Sequence, residues 1–345
     1  MPSRGTHLLC AALAVLALAF AAAAPARAAD ATAFDGQGMW VYVLSSSNDG
    51  DVDSIALDAQ LRGVTTLVFK SGDGPRYWPQ FSRGLVDALH AHGIKACAYS
   101  RIFSRKPVTE ARVSARAVTE AGADCFVIDA EKEYEGRYTQ ARQYMRELRR
   151  LVGPDYPLGF TSFPYVDLHR SLPYSVFLGP DGAQFNLPQI YWRAIGDTVD
   201  QAFARTYAWN RLYGRPIRPL GQVWMNPPAA EVTRFRELAA AYGSNGYSWW
   251  SWQSAGPRAL AGLTLPLNTP AGATPAPPPA QVTPTLRRGA RGDVVRLAQG
   301  RLGVKQTGYF GADTKRAVRR FQAQHGLLKT GALDPPTWGS LTSER

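Results

Sequence analysis

Residues 64–99, VTTLVFKSGDGPRYWPQFSRGLVDALHAHGIKACAY, decide the fold because two short apolar runs flank one amphipathic stretch. The runs 64–69 and 94–99 have the length and the β-branched and aromatic content of buried strands. Between them, apolar positions recur at helical spacing: Leu85, Val86, Leu89 and His92. Near-continuous apolar strands that alternate with helices predict a parallel sheet covered on both faces.

The same alternation continues along the chain. Six further runs resemble buried strands: 39–44, 125–129, 157–162, 187–192, 219–224 and 246–252. Eight strands with intervening helices over residues 29–268 predict an α/β fold, a (β/α)8 TIM barrel. A doubly wound open sheet is the alternative, but the Gly-rich nucleotide turn that would favour it is absent from the sequence.

A proline-rich segment marks the domain boundary. Residues 269–285, TPAGATPAPPPAQVTPT, contain six prolines and no charge, as expected for an extended linker. The linker separates the barrel domain (29–268) from the tail domain (286–345), which is predicted to be all-α, with the order helix, turn, helix, helix. Because the linker has almost nothing to bury, we expect few contacts between the two domains.

The first residues predict export. In residues 1–28, Arg4 and His7 precede an apolar run, and Ala26-Arg27-Ala28 supplies a signal-peptidase site. The strongly apolar core, Leu8–Phe20, is shorter than the ~20 residues of a membrane span. We therefore expect cleavage near Ala28, no stable membrane insertion afterwards, and a secreted monomer associated with the cell wall.

The two cysteines outside the predicted signal peptide and the histidines suggest no metal site. Cys97 and Cys125 lie outside any C-x-x-C motif, and we favour two buried thiols on neighbouring strands over a bridge. The histidines have no ligand spacing with one another: His90, His92, His169 and His325. Neither a metal nor another cofactor is expected.

The positive charge is concentrated in the tail domain. The whole chain carries a formal +12, and from Leu286 onward twelve Lys and Arg face four Asp and Glu. Such a field favours polyanions, and for an exported protein the available polyanion is the cell envelope. Nucleic acid is not an expected partner, because no basic groove with interleaved aromatics is recognisable.

The tail domain also carries a specific motif. Its residues are Leu286, Gly289, Gly292-Asp293-Val294, Gln299, Leu302, Gly308, Phe310-Gly311, Thr314, Ala317-Val318, Phe321-Gln322, Gly326-Leu327, Gly331, Thr337-Trp338 and Leu341. This pattern resembles the type-1 peptidoglycan-binding domains, and it departs from them at Ala298 and in the short connection 304–307. The resemblance implies a noncatalytic module that binds peptidoglycan and tethers a linked enzyme to it.

The candidate catalytic residues follow the fourth predicted strand. In the run 126–131, FVIDAE, Asp129 and Glu131 lie two apart and should point to the same side, at the end of the barrel where active sites form. Glycosidic cleavage uses two carboxyl groups, one of which protonates the leaving oxygen. The alternative is an acidic surface loop, since Glu133 and Glu135 follow.

Aromatic residues near the predicted strand ends suggest a carbohydrate cleft, although part of the set should belong to the core. They are Tyr99, Tyr191, Trp192, Trp224, Trp249, Trp250 and Trp252. Lys70, just after the second strand, is either a substrate contact or an ion-pair partner of the two acids. The predicted substrate-binding set is Lys70, Tyr99, Tyr191, Trp192, Trp252 and Gln253.

Short motifs in the barrel domain resemble the family 25 glycoside hydrolases, the barrel lysozymes. They are Val68-Phe69-Lys70, Ile128-Asp129-Ala130-Glu131, Phe160-Thr161-Ser162 and Trp252-Gln253-Ser254. By this resemblance Glu131 is the general acid, and Asp129 orients or stabilises a substrate acetamido group. The family also has an aspartate at the end of the first strand. Here that strand ends without one, and the candidates to replace it lie beyond the strand: Asp49, Asp51 and Asp53.

Two functions compete on this evidence. The first is a secreted, muramidase-like glycoside hydrolase that acts on peptidoglycan. The second is a noncatalytic sugar-binding protein with a degenerate hydrolase barrel. A zinc amidase is disfavoured because no His, Asp and Glu ligand set is recognisable.

Overall fold

The computed structural model describes residues 30–267, 279–280 and 282–343. The predicted signal peptide, 1–28, and most of the proline-rich linker lie outside the described residues. Within the described ranges, no helix combines the length and the apolar character needed to cross a membrane.

The barrel domain is a closed parallel barrel. Its strands are β1 Gly36–Val41, β2 Val64–Asp73, β3 Arg76–Tyr77, β4 Lys95–Ile102, β5 Phe126–Ala130, β6 Leu158–Ser162, β7 Phe185–Ile190, β8 Leu220–Gln222 and β9 Gly246–Trp250. Eight of them run parallel, and β1 pairs with both β2 and β9, which closes the sheet on itself. The two-residue β3 pairs antiparallel with the end of β2. The predicted (β/α)8 barrel is confirmed.

Helices follow most strands and cover the barrel. They are α1 Val52–Leu61, α2 Arg83–Ala91, α3 Pro107–Thr119, α4 Tyr138–Val152, α5 Tyr174–Phe177, α6 Trp192–Ile195, α7 Val199–Asn210, α8 Ala229–Ala241 and α9 Pro257–Thr264. Local sequence fixes several starts: Asp51 accepts hydrogen bonds from the first amides of α1, and Thr198 and Gln201 form a capping box on α7. These side chains satisfy amide groups that would otherwise lack partners.

Side chains on the strands divide between two cores because successive residues point to opposite faces. Met39, Leu67 and Phe69 point outward and pack under the helices. Trp40 and Val68, each one position away, point inward and fill the barrel. The inward set determines what can line the end of the barrel.

The barrel interior also contains a covalent link. Cys97 and Cys125 form a disulfide with Cα atoms 4.7 Å apart, and both residues are fully buried. The expectation of two free thiols was wrong. The register explains the bond, because Ala98 pairs with Phe126 and the two preceding cysteines therefore lie side by side.

The tail domain has the predicted three helices: α10 Asp293–Arg301, α11 Ala312–Gln324 and α12 Pro335–Ser343. Two buried glutamines, Gln299 and Gln322, each bind the turn that follows their helix. Gln299 donates to the hydroxyl of Thr314 at 2.9 Å and accepts from the amide of Gly308 at 2.8 Å. Gln322 makes the same two contacts: it donates to the hydroxyl of Thr337 and accepts from the amide of Gly331, both at 2.9 Å. These motif residues therefore hold the tail fold together from inside.

The tail domain packs against the barrel domain, contrary to the expectation of few contacts. Asp293, at the start of α10, is completely buried. Its carboxylate accepts from the amide and hydroxyl of Ser175, at 2.7 and 2.6 Å, and from the hydroxyl of Tyr213 at 2.9 Å. Its own amide donates to the Arg170 carbonyl at 2.7 Å. A buried carboxylate with three donors across an interface is a specific attachment.

Candidate active site

The carboxyl ends of the barrel strands surround a cavity of about 350 Å³, here called the mouth pocket. Its walls are Trp40, Tyr42, Lys70, Asp73, Tyr99, Arg101, Asp129, Glu131, Gln189, Tyr191, Leu220 and Trp250. These residues come from β1, β2, β4, β5, β7, β8 and β9 or directly follow them. Parallel strands bring side chains that are remote in sequence to one edge, which is where barrel enzymes place their chemistry.

Asp129 is the most unusual group in the mouth pocket. Its side chain is buried, and Oδ1 has no hydrogen-bond partner among the described residues. Burial raises the pKa of Asp129 well above its usual range, and repulsion by Glu131 adds to the rise, whereas Arg101 and Lys70 oppose it. A buried carboxyl beside a second one retains its proton to higher pH.

Glu131 is bound differently from its neighbour. Arg101 donates to Glu131 at 3.0 Å and to Glu133 at 3.2 Å. Gln189 Nε2 contacts the other oxygen of Glu131 at 3.3 Å. Arg101 and Asp129 are direct neighbours across β4 and β5, so the single cation Arg101 lies next to three acids. In this arrangement Glu131 has a charged partner in Arg101, whereas burial favours the protonated form of Asp129.

Lys70 reaches the mouth pocket but pairs with neither of the predicted acids. Its ammonium group lies 2.8 Å from Asp73. The same group lies over the rings of Tyr42 and Trp78, at 4.8 and 4.6 Å from their centroids. This buried cation therefore has both a charge partner and two aromatic faces, which together offset its desolvation.

Aromatic rings form one side of the mouth pocket. Trp40 and Tyr99 have centroids 4.7 Å apart, and Trp250 lies 5.8 Å from each of them. Tyr99 is buried, and its hydroxyl has no partner among the described residues. Tyr191 lines the pocket beside Gln189. The rings and the unsatisfied polar atoms together resemble a site for a ligand with apolar faces and hydroxyl groups.

Three predicted substrate-binding residues lie outside the mouth pocket. Trp192 begins α6, packs against Phe235 at 5.6 Å and donates its indole N–H to Glu231 at 2.7 Å. Trp252 donates to Asn48 at 3.0 Å, and Gln253 accepts from the Tyr42 amide at 3.3 Å. All three follow the end of a strand, where the chain has already turned away. Trp249 also belongs to the outer core.

Sequence reasoning missed several pocket residues, above all Arg101, Gln189 and Tyr42. Each lies two positions from a pocket aromatic on the same strand or its immediate continuation: Trp40 with Tyr42, Tyr99 with Arg101, and Gln189 with Tyr191. The rule that placed Asp129 with Glu131 would have found all three. When this two-residue rule is applied to every strand end, it predicts that these three residues line the pocket.

No metal centre is apparent in the part of the chain that the structure describes. No group of three or more His, Cys, Asp or Glu side chains there could hold an ion.

Comparison with known families identifies the tail. Residues 295–341 match the family described as "Putative peptidoglycan binding domain". The match covers most of α10, both following helices and the two glutamine-bound turns. Comparison of the whole sequence with curated proteins finds no match.

Comparison with solved structures confirms the barrel. The endo-beta-1,4-mannanase from Thermotoga petrophila matches with a TM-score of 0.52 and 10% identity, over 65% of this chain and 69% of that one. The spore cortex-lytic enzyme SleL from Bacillus cereus matches with 0.50 and 10%, over 66% and 73%. The endo-1,4-beta-mannanase from Rhizomucor miehei matches with 0.50 and 7%, over 63% and 86%. At such identities the likeness establishes the fold alone.

Proposed function

We propose that this protein is an exported, muramidase-like glycoside hydrolase that cleaves peptidoglycan and is held on it by its tail domain. The observation that carries the proposal is the buried carboxyl of Asp129, whose Oδ1 has no hydrogen-bond partner among the described residues, beside Glu131 at the mouth of a barrel. The solved barrels of similar fold include enzymes named as mannanases and as a spore cortex-lytic enzyme. The tail's family match supplies the substrate class.

The two carboxyls suit different roles. Burial raises the pKa of Asp129 and so favours its protonated form, whereas Glu131 is the less buried of the two and lines the open cavity. In the proposed reaction a bound glycan displaces Arg101, and Glu131 receives the proton of the pair and passes it to the leaving oxygen. Asp129, ionised in turn, stabilises the positive charge that develops on the sugar.

Export is proposed on two grounds. Residues 1–28 have the pattern of a signal peptide. Independently, the Cys97–Cys125 disulfide inside the barrel is typical of proteins that fold in an oxidising compartment.

Mass analysis of the products from purified sacculi tests the proposal. Wild-type protein should release muropeptides with new reducing ends. Glu131→Gln should lose about 10²–10⁴-fold in rate while it still pellets with sacculi, because a general acid contributes that much. Glu133→Gln is the matched control, since Glu133 also binds Arg101 but does not line the mouth pocket.

A noncatalytic sugar-binding barrel is the second candidate. It is favoured by the first strand, which brings Trp40 and Tyr42 to the pocket where the family 25 hydrolases have an aspartate. It is also favoured by the ion pair between Arg101 and Glu131. Firm pelleting with sacculi and no soluble product from wild-type protein would support this candidate and reject hydrolysis.

A further inference from the structure

A second large cavity lies between the two domains. It measures about 1200 Å³ and is here called the interdomain cleft. One wall consists of α4 and the loops that lead into β6 and β7, and the other consists of Arg296 and residues 304–306 of the tail domain. Because those loops precede their strands, this part of the cleft lies at the barrel end opposite the mouth pocket. It is a separate site.

The cleft exists because the tail domain is attached at one defined place. Asp293 binds Ser175 and Tyr213, and Arg296, one turn further along α10, lies over the ring of Tyr138 at 4.3 Å. Arg296 thereby forms part of the cleft wall opposite α4. The arrangement of groups across the cleft is therefore set by the fold of the whole chain.

Cations dominate the lining. Six of them line the cleft, Arg142, Arg146, Arg149, Arg150, Arg296 and Lys305, against two acids, Asp155 and Asp181. Among the described residues, only Arg150 of the six is ion-paired, to Glu147 at 2.8 Å. The side chains of Arg146 and Lys305 make no hydrogen bond or ion pair with any described residue. The cleft therefore holds an excess of positive charge that the residues in the described ranges do not neutralise.

Arg149 is fixed in this lining as a half-buried cation. Its guanidinium donates to the carbonyls of Tyr156 and Gly182, at 2.8 and 2.7 Å, and to Gln184 at 2.7 Å. Burial, with repulsion by Arg215, lowers the pKa of Arg149 to about 10, so it remains charged at neutral pH. A partly desolvated cation without a carboxylate partner favours an anion supplied from outside.

We propose that the interdomain cleft binds the carboxylate-bearing stem peptides of peptidoglycan. Guanidinium groups match planar carboxylates with two parallel hydrogen bonds, and several of them line a cavity larger than those that enclose a small ligand. The tail domain brings this polymer to the cleft. The inference rests on the proposed target, peptidoglycan, and not on hydrolysis.

The test uses full-length protein and soluble disaccharide–peptide fragments of peptidoglycan. Arg146→Gln combined with Lys305→Gln should weaken binding about tenfold or more, because each removed charge contributes to charge-assisted hydrogen bonds. Arg76→Gln combined with Lys329→Gln is the matched control: it removes one exposed cation from each domain, outside the cleft. The control should bind as wild type does.

Two further ligands make the assignment specific. The variant with Arg146→Gln and Lys305→Gln is here called the cleft variant. Wild-type protein should bind fragments with amidated carboxylates only weakly, with the same affinity that the cleft variant has for normal fragments. Equal binding of amidated and normal fragments, or equal affinity of cleft and control variants, overturns the inference. Cleft-dependent binding of poly(glycerol phosphate) that is tighter than that of the fragments overturns it in favour of a phosphate polymer. Fragment binding and product release from sacculi are separate measurements. If no product is released, the hydrolase proposal fails, and the binding result still tests the cleft.

Discussion

Asp129 and Glu131 are separated by one residue yet lie in different environments. Burial raises the pKa of Asp129, and the Arg101 ion pair holds Glu131. The difference arises from position on the strand: Asp129 is inside β5, and Glu131 follows its end. Different environments allow two neighbouring acids to take different roles in acid catalysis.

Asp129→Asn should retain more activity than Glu131→Gln. Asparagine has the shape and neutrality of the protonated aspartate but cannot ionise. The variant should therefore keep Glu131 in position but lose the negative charge that stabilises the positive charge on the sugar. Initial rates on soluble glycan fragments measure the difference. Equal or greater loss in Asp129→Asn would assign the proton donor to Asp129 and contradict the division of roles.

Arg101 lowers the pKa of Asp129, so its removal should raise that pKa further. If activity requires the pair to hold one proton, the alkaline limb of the kcat/KM profile should move to higher pH in Arg101→Gln. Arg112→Gln is the control, because Arg112 pairs with Glu147 on the outer helices. An alkaline limb that stays in place, or moves to lower pH, would exclude Asp129 as its source.

At the scale of elements, periodicity predicted the strands well and their ends less well. The run 64–69 corresponds to β2, which continues to Asp73 through a polar stretch that periodicity does not mark. The run 187–192 was placed too late, since β7 ends at Ile190 and Trp192 already belongs to α6. This shift explains why Trp192 was assigned to the site and Gln189 was not.

The disulfide could not be predicted from spacing. Whether two cysteines on adjacent strands meet depends on strand register, and a shift of one residue would point them to opposite faces. In the structure both cysteines point into the barrel, where they link β4 to the residue before β5.

Loss of this disulfide should destabilise the barrel by about 3–4 kcal/mol, because the bond restricts the unfolded chain across a loop of intermediate length. Urea unfolding of wild type and of Cys97→Ala/Cys125→Ala, followed by near-ultraviolet circular dichroism, measures the change. Cys97→Ser alone leaves a free thiol and serves as a comparison. Unchanged stability in the double variant would show that the bond is absent from the native protein.

At the scale of the whole molecule, the contact between the domains is the largest departure from what the sequence predicts. The proline-rich linker was predicted to mark the domain boundary, but linker composition carries no information on whether the domains touch. Gly292-Asp293 was assigned to the tail motif on family resemblance, and in the structure Asp293 also faces Ser175 and Tyr213 of the barrel domain. Contacts so distant in sequence have no local signal.

Domain docking should depend on pH through Asp293. Burial raises the pKa of this carboxyl to about 6 from an ordinary value of 3.8, although hydrogen bonds from Ser175 and Tyr213 act in the opposite direction. The folded state therefore binds a proton more tightly than the unfolded state between these values. The contribution of Asp293 to stability should be greatest below about pH 4 and should fall by about 3 kcal/mol as the pH rises through 6.

Unfolding midpoints in urea from pH 4 to 8 measure this dependence. The fall should disappear in Asp293→Asn, which cannot ionise. Asp313→Asn is the control, because Asp313 is a highly exposed acid on the same domain. A wild-type profile that matches that of Asp293→Asn would contradict the assignment.

The docked tail also determines which bonds a catalytic barrel could reach. A catalytic domain joined to its binding domain by a flexible linker can reach every bond that lies within the length of the linker. Here Asp293 fixes the anchor to the barrel flank, so the mouth pocket lies at one offset and one orientation from the bound polymer. Bond choice would then follow the spacing of the wall lattice, and the released fragments should cluster in size instead of forming a continuum.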